Sequence, residues 1–228
     1  MAMSKSRSNI PERPYHHGDL RRAIVSAALE ILNETQNHEF SLRELARRAG
    51  VSHNAPYKHF ADKRELLAAV SAAGFEALTR RMVVEMSKVA DPRGQLFAIW
   101  RAYIRHGVEN PALYRLMFGR YLRGADDGRP AIERAAANQA KDLVTGVIVN
   151  GGLGRAIPAT RRNERKIAGA LLTCWSLVHG LTLLLADGLV GPGKTSDELI
   201  DTLLRGILDG LAVKCPALPA GTWVGPQS

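Results

Sequence analysis

The run Ser41 to Leu67, SLRELARRAGVSHNAPYKHFADKRELL, constrains this chain more than any other stretch. It reads as a short helix, a glycine turn, a second short helix and the start of a third. Ser41 with Glu44 forms a capping box, in which the hydroxyl accepts from the backbone N–H three residues on. Leu42, Leu45, Ala46 and Ala49 supply the buried face of that helix, and Gly50 ends it. Ser52 suits the cap of the next helix. Asp62 with Glu65 makes another capping box, for a long helix that should reach roughly Lys88. Two short helices around a glycine have the proportions of a helix-turn-helix, whose second helix enters a major groove, and equally those of a generic helical hairpin. Residue chemistry favours the former. His53 and Asn54 fall in the first turn of the reading helix, and Tyr57, Lys58, His59, Lys63 and Arg64 follow closely. Such groups hydrogen-bond base edges and phosphates, and a helix N-terminus adds free N–H groups. Pro56, so near the helix start, forfeits little hydrogen bonding.

Helix signals dominate the remainder, and no run of alternating β-branched residues is flanked by hairpin turns, so the chain is expected to be all-α. A first helix should begin near Asp19, with Leu20, Ile24, Ala27, Ala28 and Ile31 on one stripe. Asp91-Pro92 is a start signal, because proline costs nothing at the first helical position. The helix it opens carries Phe97, Trp100, Ile104 and Val108 on one face and stops before Asn110-Pro111. A short helix from Pro111 to Phe118 follows, then a loop over Ala125 to Arg129, then helices over about Pro130–Asn150, Arg162–Asp187 and Ser196–Val213. The last is amphipathic through Leu199, Leu203, Ile207 and Leu211. The first 18 residues read as a flexible basic arm, and residues 214–228 as a loose tail.

Lys and Arg outnumber Asp and Glu by 31 to 22, which favours a polyanionic partner, either nucleic acid or an anionic membrane surface. Cys174 and Cys215 stand far apart, without the spacing of a disulfide framework or metal knuckle, and fit a reducing cytoplasm. The opening MAMSKSRSNIPERPYHH lacks the apolar stretch of a secretory signal. Gly188 to Thr195, GLVGPGKT, fits the phosphate-binding pattern, but that pattern works between a strand and a helix, and here helices flank it. Ile167 to Leu185 has no charged residue over nearly the length of a membrane span, yet a helix apolar all round also suits the core of a protein or oligomer. The histidines lack ligand spacing, Asp126 and Asp127 sit in a turn-forming loop, and Gly151, Gly152 and Gly154 follow a helix. No enzyme activity, cofactor, metal or membrane role is therefore expected.

Ser41, Leu45, Ala46, Ala49-Gly50-Val51-Ser52, Tyr57-Lys58-His59-Phe60, Asp62-Lys63 and Leu66-Leu67 together resemble the tetracycline-repressor (TetR) family of bacterial transcription regulators. Trp175, His179 and Gly180, in CWSLVHG, are similar to the tryptophan, histidine and glycine of a recognised C-terminal subtype, as are His16-His17-Gly18-Asp19-Leu20 and Ala55-Pro56-Tyr57. Asn54-Ala55-Pro56 departs from the commonest pattern, in which glycine and then leucine precede the tyrosine. The resemblance implies a helix-turn-helix domain over 19–65 and a ligand-binding and dimerisation domain over 66–213. It further implies phosphate contacts from Ser41, Arg43, Tyr57, Lys58, His59 and Lys63, with His53 and Asn54 reading bases, asparagine being suited to adenine. The last two long helices would form a homodimer interface. A pocket for an unknown small-molecule effector with an apolar or aromatic part would be lined by Trp100, Tyr103, Tyr114, Met117, Phe118, Trp175 and His179. The expected function is a cytoplasmic regulator of double-stranded DNA, a repressor released from a pseudo-palindromic operator by its effector. The alternative is a helical small-molecule-binding protein or enzyme without a DNA role.

Overall fold

The computed structural model describes residues 17–123, 128–154, 156–157, 160–190 and 197–211. The expected arm up to His16, Asp126 with Asp127, residues 191–195 of the glycine-rich loop, and the tail with Cys215 lie outside the described residues. Those described are helical, with no strand among them. The helices are α1 (His17–Thr35), α2 (Leu42–Arg48), α3 (Lys63–Met86), α4 (Pro92–Glu109), α5 (Pro111–Phe118), α6 (Ala131–Val147), α7 (Glu164–Ala186) and α8 (Asp197–Leu211).

The N-terminal head is set by its caps. Ser41 Oγ accepts from the Glu44 N–H at 3.1 Å and opens α2. Its end is a complete Schellman turn: the Val51 N–H donates to Ala46 O at 3.0 Å and the Gly50 N–H to Arg47 O at 3.3 Å. Gly50 takes φ +65° there, a conformation costly for a residue with a Cβ. Asp62 Oδ1 accepts from the Glu65 N–H at 2.8 Å and starts α3. Between these caps the structure differs from the expected second helix. Residues 52–55 form a turn, and only Pro56–Lys58 continue it, as one turn of 3-10 helix. Proline explains this, because Pro56 has no N–H to give to the Ser52 carbonyl and its ring crowds that oxygen. The turn is closed by Phe60 N–H donating to Pro56 O at 2.9 Å, and Phe60 is buried with Ile24, Ala28, Ile31, Leu45, Leu66 and Leu67.

α3 runs unbroken from the head into the body, across the boundary expected at residue 65. α4 is the body's central helix, packed by α3, α5, α6, α7 and α8. Its ends match the proline signals, with Asp91 Oδ1 accepting from the Gly94 N–H at 2.7 Å. α3 ends at Met86, two residues before the expected Lys88, and α6 passes into a wider turn over Ile148–Gly152, stopped where Gly151 takes φ +106°. α7 is long and apolar enough to cross a membrane, but Ala170, Cys174, Val178, Thr182 and Leu185 form a stripe buried within the body. α8 is tied to α4 by Arg93 with Asp209, by Arg101 with Asp201 at 2.9 Å and by Arg105 Nε donating to Asp197 Oδ1 at 2.9 Å. These pairs orient Ile200, Leu204 and Leu208 into the core. The expected stripe through Leu199, Leu203 and Ile207 is instead the flanking one, half-buried.

α4 and α7 approach closely because Gly107 has no side chain. A Cβ there would overlap Thr182 Cγ2 and crowd the Tyr114 ring at 2.9 Å. Gly107→Ala is therefore expected to lower stability by about 1–3 kcal/mol in urea unfolding, through overpacking. One residue earlier, His106 is 5% exposed, and burial, aided by the Arg81 charge, pushes its pKa from 6.5 down to about 4. The unfolded chain then takes up this proton more readily than the folded one, so the contribution is full above 6.5 and is lost as pH falls toward 4. Between about pH 7 and pH 5 the chain should lose about 2 kcal/mol more stability than His106→Leu, measured by urea unfolding at each pH.

Candidate nucleic-acid interface and sensor core

The head's expected contact residues divide by exposure. Ser41, Arg43, His53, Asn54, Tyr57 and Lys58 are exposed, and Tyr57 keeps 55% of its surface open although it is a large aromatic. A phenol ring carried on a rigid turn with one edge fixed by proline costs little order when it meets a partner. His59 and Lys63 are half-buried. The Lys63 ammonium lies 5.1 Å from the centre of the Phe40 ring, and partial burial lowers its pKa, opposed by Glu39. Arg64 leaves the expected group: its Nη2 donates to Leu122 O at 2.7 Å, binding the first turn of α3 to the chain after α5. His38 adds a second tie, with its ring centre 4.3 Å from that of Tyr121. Neither tie has a sequence signature, since one partner is a backbone carbonyl and the other a residue in a connecting loop.

In the body, five of the seven residues expected around a pocket come together. The hydroxyls of Tyr103 and Tyr114 are 2.8 Å apart and lie 3.1 and 2.5 Å from His179 Nδ1, and Trp175 Nε1 donates to the Tyr103 hydroxyl at 3.2 Å. Phe118 closes the group, with ring centres 4.7 Å from Tyr114 and 4.9 Å from His179. Burial holds the His179 pKa below its ordinary value and pushes both tyrosine hydroxyls up, so the cluster is neutral and Nδ1 is free to accept a proton in a hydrogen bond. Trp175 is exposed at its edge. Trp100 and Met117 are both buried, Met117 with its Sδ against Gly74 of α3.

Sequence reasoning missed the buried charge beside this core. Glu133 is 1% exposed; its Oε1 accepts from Ser71 Oγ at 3.0 Å and from Arg129 Nη1 at 3.2 Å. Burial raises its pKa against the pull of Arg129 and Ser71. Arg129 also donates to Met117 O at 3.0 Å, so one guanidinium joins the end of α5 to α6. The spacing of four between Arg129 and Glu133 was the available signal.

Three comparisons bear on this geometry. Residues 24–70 match the family model described as bacterial regulatory proteins, tetR family, and residues 96–207 match the tetracyclin repressor-like C-terminal domain. The chain is similar to the HTH-type transcriptional regulator BetI of Yersinia pestis (strain Pestoides F), at 30% identity over 115 residues. That match covers 42% of this chain and 58% of the relative, so it spans less than two thirds of the relative's length. Among solved structures, a protein of unknown function from Rhodococcus sp. RHA1 is 29% identical, with TM-score 0.71, over 88% of this chain and 100% of that one. FadR from Bacillus subtilis, in complex with stearoyl-CoA, shares the fold at 16% identity and TM-score 0.60, over 84% and 97% of the two chains.

Tyr114→Phe, which removes the hydroxyl shared by Tyr103 and His179, is expected to cost about 1–2 kcal/mol in urea unfolding. An unchanged midpoint would show that the hydroxyl cluster contributes nothing to holding α4, α5 and α7 together.

Proposed function

Since this chain belongs to the tetR family of bacterial regulatory proteins, we propose that it is a DNA-binding transcriptional regulator acting as a homodimer in the cytoplasm, a repressor released by a small molecule. The observation that carries the DNA role is the head's turn over residues 52–58. It leaves His53, Asn54, Tyr57 and Lys58 exposed on a segment anchored from beneath by buried Ala55, Pro56 and Phe60. An enzymatic role is set aside by the same family membership.

His53 and Asn54 read bases in this proposal, while Ser41, Arg43, Tyr57, Lys58, His59 and Lys63 hold phosphates. Ser41 does so with its hydroxyl hydrogen, its oxygen already capping α2. The dimer forms through α7 and α8. Leu177 and Leu184 stay 43% and 45% exposed on α7, and the half-buried Leu199, Leu203 and Ile207 border the core on α8. Two heads related by a two-fold axis call for a pseudo-palindromic operator whose half-sites lie about one helical turn or a multiple apart. The effector acts on the cluster of Tyr103, Tyr114, Phe118, Trp175 and His179, which also supports assignment to the subtype with tryptophan and histidine-glycine in its C-terminal half. Any effector with an apolar or aromatic part must part these rings to enter, and it lowers DNA affinity by its preference for the opened state. The acyl-CoA bound by the distant structural neighbour FadR is one chemistry of that kind.

Selection of bound fragments from a random duplex library, followed by salt-dependent gel shifts, tests the reading. Lys63→Ala is expected to weaken binding to every sequence and to flatten the salt dependence by about one unit of slope, whereas Asn54→Ala should cost about 1–3 kcal/mol on the selected sequence and little on scrambled DNA. Equal losses on both sequences for Asn54→Ala would sink the division of labour, and absence of any salt-dependent DNA binding would sink the function.

A further inference from the structure

We propose a second small-molecule site, in the seam between head and body, that takes a small uncharged hydroxyl-bearing molecule with an apolar end. The seam holds a cavity of about 340 Å³, at the low end of small-molecule sites, which run to about 1,000 Å³. It is separate from the aromatic cluster, sharing none of the five residues of that cluster. Its walls come from two places: Leu29 and Asn33 on α1 of the head, and Ala77, Arg81, His106 and Asn110 on or beside α3 and α4 of the body.

The lining dictates the ligand's chemistry. Leu29 and Ala77 offer an apolar patch, while Asn33 and Asn110 offer amides at its edge. Asn110 uses one amide hydrogen on His106 O at 3.0 Å and keeps its carbonyl oxygen for a donor. His106 supplies a second, independent sign of an absent partner. Its side chain is a wall of the cavity and 95% of the residue is buried, yet Nε2 makes no hydrogen bond among the described residues. A buried polar atom left so costs about 1–3 kcal/mol, and because Nε2 itself has almost no open surface, a hydroxyl-bearing occupant would relieve that cost by drawing the ring round to meet it. Charge complementarity excludes ions. The only full charge on the wall among the described residues, Arg81, is already matched by Glu109, with Nη2 donating to Oε1 at 2.9 Å and Nη1 to Oε2 at 2.5 Å. His106 is neutral, so a carboxylate or ammonium entering the seam would shed its water with no unspent counter-charge to meet it. Because α1 forms one wall and α3 and α4 the other, an occupant pins the head to the body.

The test uses the full chain with ring-labelled histidine, followed by NMR, with benzyl alcohol as the probe and benzoate as its charged counterpart of nearly equal size; it does not depend on any DNA role. Benzyl alcohol is expected to shift the His106 ring resonances saturably and to leave those of His179 in place. Ala77→Leu, which narrows the seam, and Asn33→Trp, which covers it from the exposed rim and cannot disturb the core, should each weaken binding at least about tenfold, and benzoate should bind at least about tenfold more weakly than the alcohol. Asn33→Trp carries the test if Ala77→Leu does not fold. Shifts confined to His179, no saturable shift at all, or undiminished binding by Asn33→Trp would overturn the site, and benzoate binding as well as the alcohol would overturn the uncharged ligand.

Discussion

The contact on which the body hangs is the crossing of α4 and α7 at Gly107. Without a side chain at that position, Thr182 and the Tyr114 ring sit against the α4 backbone, and everything else in the body is arranged around α4. Three hydroxyl or ring donors and one ring nitrogen then meet where α4, α5 and α7 converge. Such a group is neutral and closely satisfied, so it costs little to bury, but each member depends on the others for its partner. Displacing α5 by the width of one ring therefore disturbs the whole cluster rather than one bond. The buried Glu133, which links α3 to α6 through Ser71, has a different character. Its second oxygen makes no hydrogen bond among the described residues, which leaves the join between α3 and α6 the less completely paired of the two.

α5 thus stands between two sets of contacts. Its inner face carries Tyr114 and Phe118, and the chain that leaves it carries Tyr121 and Leu122, which touch His38 and Arg64 of the head. The aromatic cluster and the head are within one short helix of each other along the chain, a proximity that the proposed response to an effector would use. Coupling of this kind is a differential free energy, and only a ligand with unequal affinity for the two arrangements of α5 transmits anything.

Most of the fold was legible because its boundaries are local. Ser41, Asp62 and Asp91 each cap a helix through a bond spanning three residues, and Pro92 and Pro111 act through their own rings, so the residues that set these ends are neighbours in sequence. What could not be read depends on distant partners. α8 has two adjacent apolar stripes, and the choice of Ile200, Leu204 and Leu208 as the inward one is made by arginines of α4 about a hundred positions earlier. The reading segment shows the limit within one residue: Pro56 is a favourable start for a helix and an equally firm stop for the one before it, and only the packing of Phe60 decides. In the aromatic cluster, five of the residues singled out by type do meet, across α4, α5 and α7. Trp100 and Met117, each three positions from a member of the cluster, are buried without a hydrogen bond to it, and a list of aromatic residues does not say how each one packs.

The unbroken length of α3 turns angle into distance. Its 24 residues make a rod of about 36 Å, gripped in the body near Gly74, where Met117 and Leu113 leave no room for a Cβ. From that grip to Lys63 is about 16 Å, so a tilt of about 6° carries the Lys63 end by ~1.7 Å. That displacement exceeds the tolerance of a hydrogen bond such as the proposed one to a phosphate, and in the proposed dimer two such rods leaning apart would change the gauge between the heads by twice as much. A motion too small to notice among packed rings is thus large at the far end of the lever.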